Sequence, residues 1–349
     1  MNTRTAAARS ILLLGALLSA GASHAQGVLT RPLELVVHTA PGGGPDRVAR
    51  ILAEILTREK LVAVPVSVIN KPGGAGGVAY HYMKSRRGDP HALLTGVGSA
   101  LLSATLRPDM GINMDDFTPV ALLAQDPQAI IVAADSPHRT LRDLMDAAKR
   151  ESNGLAASIT SPTSSGRMLG WLIEREAGVK FRFVTFKSGS EALTAVMGGH
   201  VQFSTENVSE SIAAVDAKKL RVLAVSSGER MAALPGVPTL RELGYNIHVG
   251  TGRGLALPGG VPKAAVDTWE AMIERVYQSP AWKAHAQSSL YENMWMGSAA
   301  FGRYLAQRRQ TLLEFLQAIH VTTKVSIQVP SVTVKTRPAL SAPVLRDEG

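Results

Sequence analysis

The sequence predicts an α/β fold with two lobes and a mostly parallel sheet. Runs of β-branched and apolar residues alternate with segments in which apolar residues recur every three or four positions, which is typical of α/β layers. The chain has 349 residues, of which 45% are hydrophobic and 19% are charged, so it has ample material for a packed interior. At about 150 residues per domain, this length indicates roughly two domains.

The first strands are predicted at 34–39, 64–69 and 92–97. Between the first two, apolar residues from Val48 to Leu56 recur at helical spacing, and a second helix is expected to begin near Gly77. A strand, a helix and a further strand in this order form a βαβ unit. The beginning of the chain therefore predicts parallel strands covered by helices.

Asp126-Pro127 interrupts the next apolar segment. We expect separate strands on either side of it, at 120–123 and 129–133, and interpret the break as a crossing between lobes. Thr140 and Asp143 then form a capping box, which predicts a helix over 141–150.

The remaining strands are predicted at 155–159, 181–186, 201–205, 220–226 and 254–257. The polar turn 161–166 leads into a helix through Leu169 and Ile173, and Ser190 is expected to cap the next helix. Two long amphipathic helices, around 266–276 and 301–316, end the fold.

These elements predict how the chain is divided. We assign 26–125 together with 250–320 to a first lobe and 126–249 to a second. Beyond residue 320 the helical period is lost and prolines recur, so 321–349 are expected to form a flexible tail outside the core.

The first 25 residues predict a secretory signal peptide. Arg4 and Arg9 precede the apolar run 11–18, and Ser23-His24-Ala25 supplies small residues at a cleavage site. The apolar run is shorter than the ~20 residues that a membrane-spanning helix needs. We therefore expect cleavage after Ala25 and a soluble protein of the bacterial periplasm, without a lipid anchor because the chain has no cysteine.

Composition and motifs exclude several classes of chemistry. The absence of cysteine excludes disulfides, thiol nucleophiles and iron–sulfur clusters, and the histidines do not fall at metal-ligand spacing. The sequence contains no G-x-S-x-G, H-E-x-x-H or P-loop motif. We therefore predict no enzyme, cofactor or metal, although a catalytic triad of distant residues stays open.

The net charge of +9 requires an explanation. The basic residues are scattered along the chain, which argues against binding to nucleic acid. A positive surface that favours small anionic solutes is one interpretation, and an ordinary solvated surface is the other.

Two glycine-rich loops, 40–46 and 70–77, follow the first two predicted strands. Glycines let the backbone approach a ligand closely, and free N–H groups at a helix start attract an anion without a charged side chain. The loops therefore predict an anion site, the alternative being turns that only reverse the chain. Asp46 could cap its helix rather than touch solute. Residues 74–79 match the dinucleotide pattern G-x-G-x-x-A, but no acid ends the next strand, which argues against NAD or flavin.

Seven segments in chain order carry a family resemblance. They are Pro41-Gly42-Gly43-x-x-Asp46-x-x-Ala49-Arg50, Asn70-Lys71-Pro72-Gly73-Gly74-Ala75-Gly76-Gly77, Asp116-Phe117-Thr118-Pro119-Val120, Gly198-Gly199-x-Val201, Leu223-Ala224-Val225-Ser226, Leu234-Pro235-Gly236-Val237-Pro238-Thr239 and Ala256-Leu257-Pro258-Gly259-Gly260-Val261-Pro262. Together they resemble the Bug receptors, the extracytoplasmic solute-binding proteins of tripartite tricarboxylate transporters. The resemblance runs from about residue 32 to 319.

The resemblance implies a type II periplasmic binding fold, in which two α/β lobes close over a small carboxylate. It also implies a partnership with membrane permease subunits, and we expect a monomer. The alternatives are an exported protein that senses or scavenges carboxylates without its own permease, and an exported enzyme that acts on one. The expected substrate-binding residues are Thr39, Pro41, Gly42, Gly43, Asp46, Gly74, Ala75, Gly76, Ser99, Ser164, Ser165, Lys187, Gly189 and Glu206.

Backbone N–H groups are expected to hold the carboxylate. In the first lobe they belong to Gly42, Gly43, Ala75 and Gly76, and in the second to Ser164, Ser165 and Gly189. Thr39, Ser99 and Glu206 are the expected side-chain determinants of specificity. Lys71 is expected to matter less, because it precedes the glycines of its loop.

Four positions depart from the family pattern, and the first two lie near the expected cleft. His38-Thr39 stands where the family commonly has Pro-Phe, and Phe186-Lys187-Ser188-Gly189 where it has Tyr-Lys-Gly. Glu206 takes the place of an aspartate, and the stretch 250–254 lacks the usual aromatic residue. These departures leave the identity of the solute open.

Overall fold

The computed structural model describes residues 28–151 and 153–319. The predicted signal peptide and the predicted tail lie outside the described residues. Within them, strands and helices alternate along the chain, as the sequence predicts. None of the helices in these two ranges is both long enough and apolar enough to span a membrane.

Ten strands are found in the described part of the chain. They are β1 (Leu33–Val37), β2 (Val66–Asn70), β3 (Ala92–Val97), β4 (Phe117–Ala133), β5 (Leu155–Ile159), β6 (Phe181–Thr185), β7 (Phe203–Asn207), β8 (Leu220–Val225), β9 (Gly250–Pro258) and β10 (Glu292–Gly297).

The same ranges contain ten α-helices. They are α1 (Gly44–Arg58), α2 (Gly77–Ser85), α3 (Ser99–Thr105), α4 (Leu141–Arg150), α5 (Ser165–Ala177), α6 (Gly189–Met197), α7 (Val208–Asp216), α8 (Lys263–Gln278), α9 (Pro280–Ser288) and α10 (Ser298–Ala318). The predicted capping box opens α4: the Thr140 hydroxyl accepts the Asp143 N–H at 3.2 Å, and the Asp143 carboxylate accepts the Thr140 N–H at 2.9 Å.

The strands form two groups that share β4. In the first lobe, β1 is parallel to β2 and β3, and β9 runs antiparallel between β3 and β4. The short strand β10 also pairs with this part of β4. In the second lobe, β5 is parallel to β6 and β7, while β7 and β8 pair antiparallel with the end of β4.

The predicted break at Asp126-Pro127 is wrong, because β4 is a single strand of 17 residues. Asp126 pairs with Thr251 and Pro127 with Gly250 of β9, and Gln128 then pairs with Asn207 of β7. A proline removes only one ladder hydrogen bond, and here it stands where the partner strand changes. At this position β4 therefore changes its partner strand from β9 to β7 and continues without a break.

Several other elements differ from the prediction. Ser188, rather than Ser190, caps α6 by accepting the Glu191 N–H at 3.2 Å. The strand predicted at 201–205 begins two residues later, at Phe203. The sequence patterns also missed α3, α7, α9 and β10. Most residues of β10 are only half-buried and its apolar run is only the three residues 294–296, while α9 presents only two buried residues, Trp282 and Ala286.

The final helix, α10, connects the cores of the two lobes. It packs on β4 and contacts α3 of the first lobe and α5 of the second. Its Phe315 is fully buried, with its ring 5.6 Å from that of Trp171 in α5. Behind the first-lobe sheet, Trp269 and Trp282 are fully buried in a separate apolar cluster with α1.

Candidate functional site

The candidate site lies where the two lobes face each other. In the first lobe β1, β2 and β3 lead into α1, α2 and α3, and in the second β5, β6 and β7 lead into α5, α6 and α7. The Ser99 hydroxyl at the start of α3 lies 3.2 Å from the Ser165 hydroxyl at the start of α5. The carboxyl ends of both sheets therefore meet at one cleft, where open α/β sheets bind ligands.

The structure places the predicted residues on both sides of this cleft. The first-lobe mouth, defined as residues 39–46, 70–77 and 99, carries Thr39, Pro41, Gly42, Gly43, Asp46, Gly74, Ala75, Gly76 and Ser99. The second-lobe mouth, defined as residues 164–166, 187–189 and 205–210, carries Ser164, Ser165, Lys187, Gly189 and Glu206. Of these residues, Ser99 and Ser165 are brought into direct contact across the cleft.

Asp46 organises the first-lobe mouth. The residue is only 1% exposed, and its carboxylate accepts the Gly42 N–H at 2.8 Å, the Asn70 amide N–H at 2.9 Å and the Arg50 Nε–H at 2.9 Å. Burial alone raises the pKa of Asp46, but the bonds from Arg50, Gly42 and Asn70 outweigh it and lower the pKa to about 2. Asp46 is thus a permanent anion that ties one glycine loop to the other.

The glycine N–H groups of this mouth are partly occupied. Gly42 donates to Asp46, Gly43 to the Ala40 carbonyl at 3.3 Å, and Gly76 to the Gly73 carbonyl at 3.0 Å. A solute carboxylate would have to displace these bonds or use other donors. Such donors are the first-turn N–H groups of α1, α3, α5 and α6 that no capping side chain accepts, because they have no acceptor within the helix.

Two side chains of the first-lobe mouth, Thr39 and Lys71, differ in whether they have a partner. The Thr39 hydroxyl is buried without a hydrogen-bond partner in the described part of the chain and lies next to Gly43. The Lys71 ammonium lies 3.9 Å from the centre of the Tyr82 ring, a cation–π contact. Lys71 therefore has a partner of its own outside the glycine loops.

In the second-lobe mouth, serines cap two of the helices. The Ser164 hydroxyl accepts the Arg167 N–H at 3.1 Å, so it closes the first turn of α5 rather than pointing to a solute. Gly166 follows, and a Cβ there would overlap the Thr205 carbonyl, so only glycine allows α5 to approach β7 this closely. The Lys187 side chain is exposed, and its backbone N–H donates to the Glu191 carboxylate at 2.9 Å.

Two carboxyl groups face the start of α6. A Cβ on Gly189 would overlap Glu210 Oε2 and would lie 3.5 Å from Glu206 Oε2, so both groups lie against this glycine. Glu206 is 5% exposed. Burial, together with the charge of Glu210, raises the pKa of Glu206 to about 8. Burial and the charge of Asp126 also raise the pKa of Glu210.

A buried cation, Arg253, lies between the lobes and was missed by the sequence analysis. It is 6% exposed, and its guanidinium donates to Asp126 Oδ2 at 2.7 Å. The Ser209 hydroxyl donates to the same oxygen at 2.9 Å. Burial raises the pKa of Asp126, whereas Arg253 and Ser209 favour its charged form. On the opposite side the guanidinium lies 3.0 Å from the position of a Gly44 Cβ, at the start of α1.

One signal in the sequence could have revealed this pair. Arg253 interrupts an otherwise small and apolar segment, 250–258, that leads into a buried strand, and Asp126 likewise interrupts β4. A charge is buried only when it is paired, so one lone cation and one lone anion in two buried strands predict each other as partners.

His38, at the end of β1, is not a charged ligand-binding group. Burial and the nearby charge of Arg253 lower its pKa to about 4. The centre of its ring lies 5.7 Å from that of the Tyr80 ring. The family commonly has the apolar pair Pro-Phe where this chain has His38-Thr39. A neutral, packed His38 is compatible with a position that is apolar in the family.

A cavity of about 890 Å³ lies outside the two mouths. It lies between the segment 227–233 that follows β8 and the segment 283–293 that includes the end of α9 and the start of β10. Glu292 connects the lobes here by accepting the Gly228 N–H at 2.9 Å and contacting His248 Nε2 at 2.8 Å. None of the predicted site residues lines this cavity.

With this geometry in place, comparison with known proteins decides the family. Residues 48–320 match the family model TctC, described as the tripartite tricarboxylate transporter family receptor. The chain belongs to this family. The resemblance that the glycine loops predict is thereby confirmed.

Relatives of this receptor are similar over most of the chain. Protein BugT of Bordetella pertussis is 27% identical over 218 residues, which are 62% of this chain and 66% of BugT. A crystal structure of a TctC solute-binding protein from Polaromonas is 28% identical, with a TM-score of 0.73 over 83% of this chain and 99% of that one. A structure of R. palustris Rpa4515 with adipate is 22% identical, with a TM-score of 0.69 over 82% and 97% of the two chains, and shows the shared fold.

These similarities confirm the predicted fold class and function class. The receptor has the two-lobed α/β fold of the TctC periplasmic binding proteins. It is a solute-binding receptor, and the enzyme alternative is set aside because family members are receptors.

Proposed function

We propose that this receptor captures a small carboxylate in the cleft between its lobes and presents it to the permease subunits of a tripartite transporter. One observation supports this most directly: the Ser99–Ser165 contact at 3.2 Å brings the starts of α3 and α5 together from opposite lobes. First-turn N–H groups have no acceptor within their helix and give a helix start partial positive charge, so an anion between the two starts is stabilised from both sides.

The chemistry of the cleft supports an organic anion of small size. The Ser165 hydroxyl lies 3.2 Å from that of Ser99 and 3.5 Å from that of Thr251, and all three hydroxyls can donate to carboxylate oxygens. The R. palustris neighbour holds a dicarboxylate, adipate. We infer that the solute of this receptor contains at least one carboxylate as well.

Closure of the lobes would trap the solute. The lobes are joined by β4 and by the start of β9, which pair with each other at Asp126 and Pro127. Two paired strands that pass between lobes can bend together, and hinge closure around a ligand is the usual response of periplasmic binding proteins. We propose the lobe boundaries accordingly, with 26–125 and 250–320 in one lobe and 126–249 in the other.

Location and assembly follow from the same proposal. We propose that the chain is exported, that the signal peptide is cleaved after Ala25, and that the mature receptor acts in the periplasm as a monomer. Its partner would be the membrane permease, which receives the solute from the closed form.

Calorimetric titration with carboxylates of two to six carbons tests the proposal. Ser165→Trp fills the cleft and is expected to weaken binding at least a hundredfold. Ser85→Trp is the matched control, because Ser85 is exposed at the far end of α2 and its variant should bind as the unaltered receptor does. Equal loss of binding in both variants, or no binding of any carboxylate by the unaltered receptor, would refute the proposed function.

A further inference from the structure

Glu292 joins the two lobes at a place away from the candidate site. It is the first residue of β10, which pairs with the first-lobe part of β4. Glu292 Oε1 accepts the N–H of Gly228, which follows the second-lobe strand β8, at 2.9 Å. Glu292 Oε2 lies 2.8 Å from Nε2 of His248, just before the returning strand β9. Each carboxylate oxygen thus has one partner, and both partners belong to the proposed second lobe.

The segments that carry these residues have few other contacts with each other. Segments 227–233 and 283–293 line the cavity of about 890 Å³. Leu290 adds an apolar contact with the second-lobe cluster that contains Met231. Within residues 28–151 and 153–319, the Gly228–Glu292 bond is the only hydrogen bond that joins the two segments. The Glu292 carboxylate therefore carries much of the connection at this junction.

Gly228 allows the close approach because it has no side chain. A Cβ at Gly228 would lie only 2.9 Å from Glu292 Oε1 and 3.9 Å from Cε1 of His248. Gly228 does not have a positive φ, so another residue could adopt its backbone conformation. The glycine is therefore needed for the contact between the lobes rather than for the turn.

Glu292 is an anion in this contact. Burial raises its pKa, but the bonds from His248 and Gly228 and the charges of His248 and Arg241 outweigh burial, so the pKa is lowered from its ordinary value. Hydrogen bonds to an ionised acceptor are roughly twice as strong as bonds between neutral groups. The contact is therefore strong enough to affect how the lobes are arranged.

The contact is made in the same arrangement that closes the cleft. It coexists with the Ser99–Ser165 contact at 3.2 Å, which joins the lobes at the candidate site. An N–H···O bond requires a distance of about 2.7 to 3.2 Å. A hinge rotation that separates Ser99 from Ser165 also moves Gly228 relative to Glu292, because the members of each pair lie on different lobes. The two contacts are thus satisfied together.

We propose that Glu292 is a positioning residue, which holds the lobes in the closed arrangement through Gly228 and His248 and so raises the affinity for the solute without touching it. The inference rests on the proposed function, since it requires that the solute binds between the lobes. A solute enclosed by both lobes binds the closed arrangement more tightly than the open one. Its apparent affinity therefore rises with the fraction of receptor that is closed.

The first test measures the shape of the receptor without solute. Small-angle X-ray scattering should give a larger radius of gyration for Glu292→Asp and for Gly228→Val than for the unaltered receptor. Glu292→Asp keeps the charge but is one methylene shorter, and Gly228→Val blocks the approach from the other lobe. Glu292→Gln keeps the length and one acceptor oxygen, so its radius of gyration should stay closer to that of the unaltered receptor.

Glu229→Gln is the matched control. Glu229 is exposed and lines the same cavity beside Gly228, but it is not a partner of Glu292. Its variant should keep the shape and the affinity of the unaltered receptor. Urea denaturation of each variant checks that the fold is retained, and Glu292→Asp decides the matter if Gly228→Val does not fold.

The second test measures affinity by titration calorimetry with succinate, glutarate and adipate. The comparison uses the dicarboxylate among these that the unaltered receptor binds most tightly. Glu292→Asp and Gly228→Val should weaken its binding about tenfold, as expected when a charge-assisted bond is lost from the closed arrangement alone. Dissociation, measured by stopped flow, should become faster in both variants.

The possible results separate this inference from the proposed function. If the variants keep the radius of gyration of the unaltered receptor, the inference is overturned and the proposed function stands. The same conclusion holds if they expand but bind the dicarboxylate as tightly as before. If no carboxylate of two to six carbons binds to the unaltered receptor, the proposed function fails, and scattering alone decides whether Glu292 holds the lobes closed.

Discussion

The two mouths of the cleft are built from the same unit, a parallel strand that leads through a short turn into a helix, yet they differ in how their carboxyl groups are used. In the first lobe, Asp46 is buried but fully bonded, and its pKa is lowered to about 2. In the second lobe, Glu206 is buried without comparable donors, and its pKa is raised to about 8. Both residues are almost fully buried, so the difference comes from their neighbours: hydrogen-bond donors, including the charged Arg50, surround Asp46, whereas the charge of Glu210 opposes ionisation of Glu206.

This difference shows which carboxyl group is structural and which is available. The carboxylate oxygens of Asp46 already accept hydrogen bonds from Gly42, Asn70 and Arg50. Asp46 therefore holds the loop in shape and has few acceptor sites free for a solute. Glu206 and its neighbour Glu210 keep capacity for an incoming donor. Perturbed carboxyl groups in a cleft are candidates for function for this reason.

Among these variants, Arg253→Met should lower the free energy of unfolding most. Arg253 lies between the two mouths and pairs with the buried Asp126. Removing it leaves Asp126 buried without its cation, and breaking a buried pair from one side typically costs about 3 to 5 kcal/mol of unfolding free energy. Urea denaturation of the variant measures this loss.

The pair can be restored in a neutral form as a control. The double variant Arg253→Met with Asp126→Asn removes both charges and should recover a large part of the lost stability. If the double variant is as unstable as the sum of the two single variants, Arg253 and Asp126 do not act as a pair.

Asp46→Ala should have the next largest effect and acts on the first-lobe mouth. The loss of the bonds that Gly42, Asn70 and Arg50 donate to this buried carboxylate is expected to lower the unfolding free energy by about 2 to 4 kcal/mol at pH 7. The pKa of Asp46 is lower in the folded state, so its contribution is present above pH 4 and is lost as the pH falls toward 2. The denaturation curves of the variant and the unaltered receptor should therefore converge in acid.

Asp135→Ala supplies the matching control, because Asp135 is exposed. It should change stability by less than about 0.5 kcal/mol. A variant at Asp46 that is as stable as this control would show that the carboxylate does not organise the loops.

Glu206→Gln should have the smallest effect at neutral pH and the clearest dependence on pH. The pKa of Glu206 is raised in the folded state, so the stability it contributes is fully present below pH 4.5 and is lost as the pH rises through about 8. The unaltered receptor should lose stability between pH 5 and pH 9, and the variant should lose less. Parallel profiles of the two proteins, measured by urea denaturation, would contradict the assignment.

Short sequence patterns predicted helices and strands well where the stabilising contacts lie within the same segment. They failed where contacts with another segment decide the boundaries of an element. The capping box of Thr140 and Asp143 placed α4 within the boundaries observed, because its bonds lie within four residues. The capping residue of α6 was misplaced by two positions, because Ser188 and Ser190 are both serines and either could cap a helix. Which of them does so depends on where β6 ends and the chain turns into the helix. The strand β10 was missed because it is defined by pairing with β4 rather than by an apolar run of its own.

The sequence by itself determined the α/β alternation, the two glycine loops at the ends of β1 and β2, and the family. Each of these can be recognised in short motifs, and the residues within one motif are close together in the chain. Only the tertiary structure decided the Arg253–Asp126 pair, whose members are 127 residues apart. The tertiary structure also decided the position of Glu206 and Glu210 against Gly189. The burial of these carboxyl groups and their distances to other charges are set only when the surrounding strands and helices pack together.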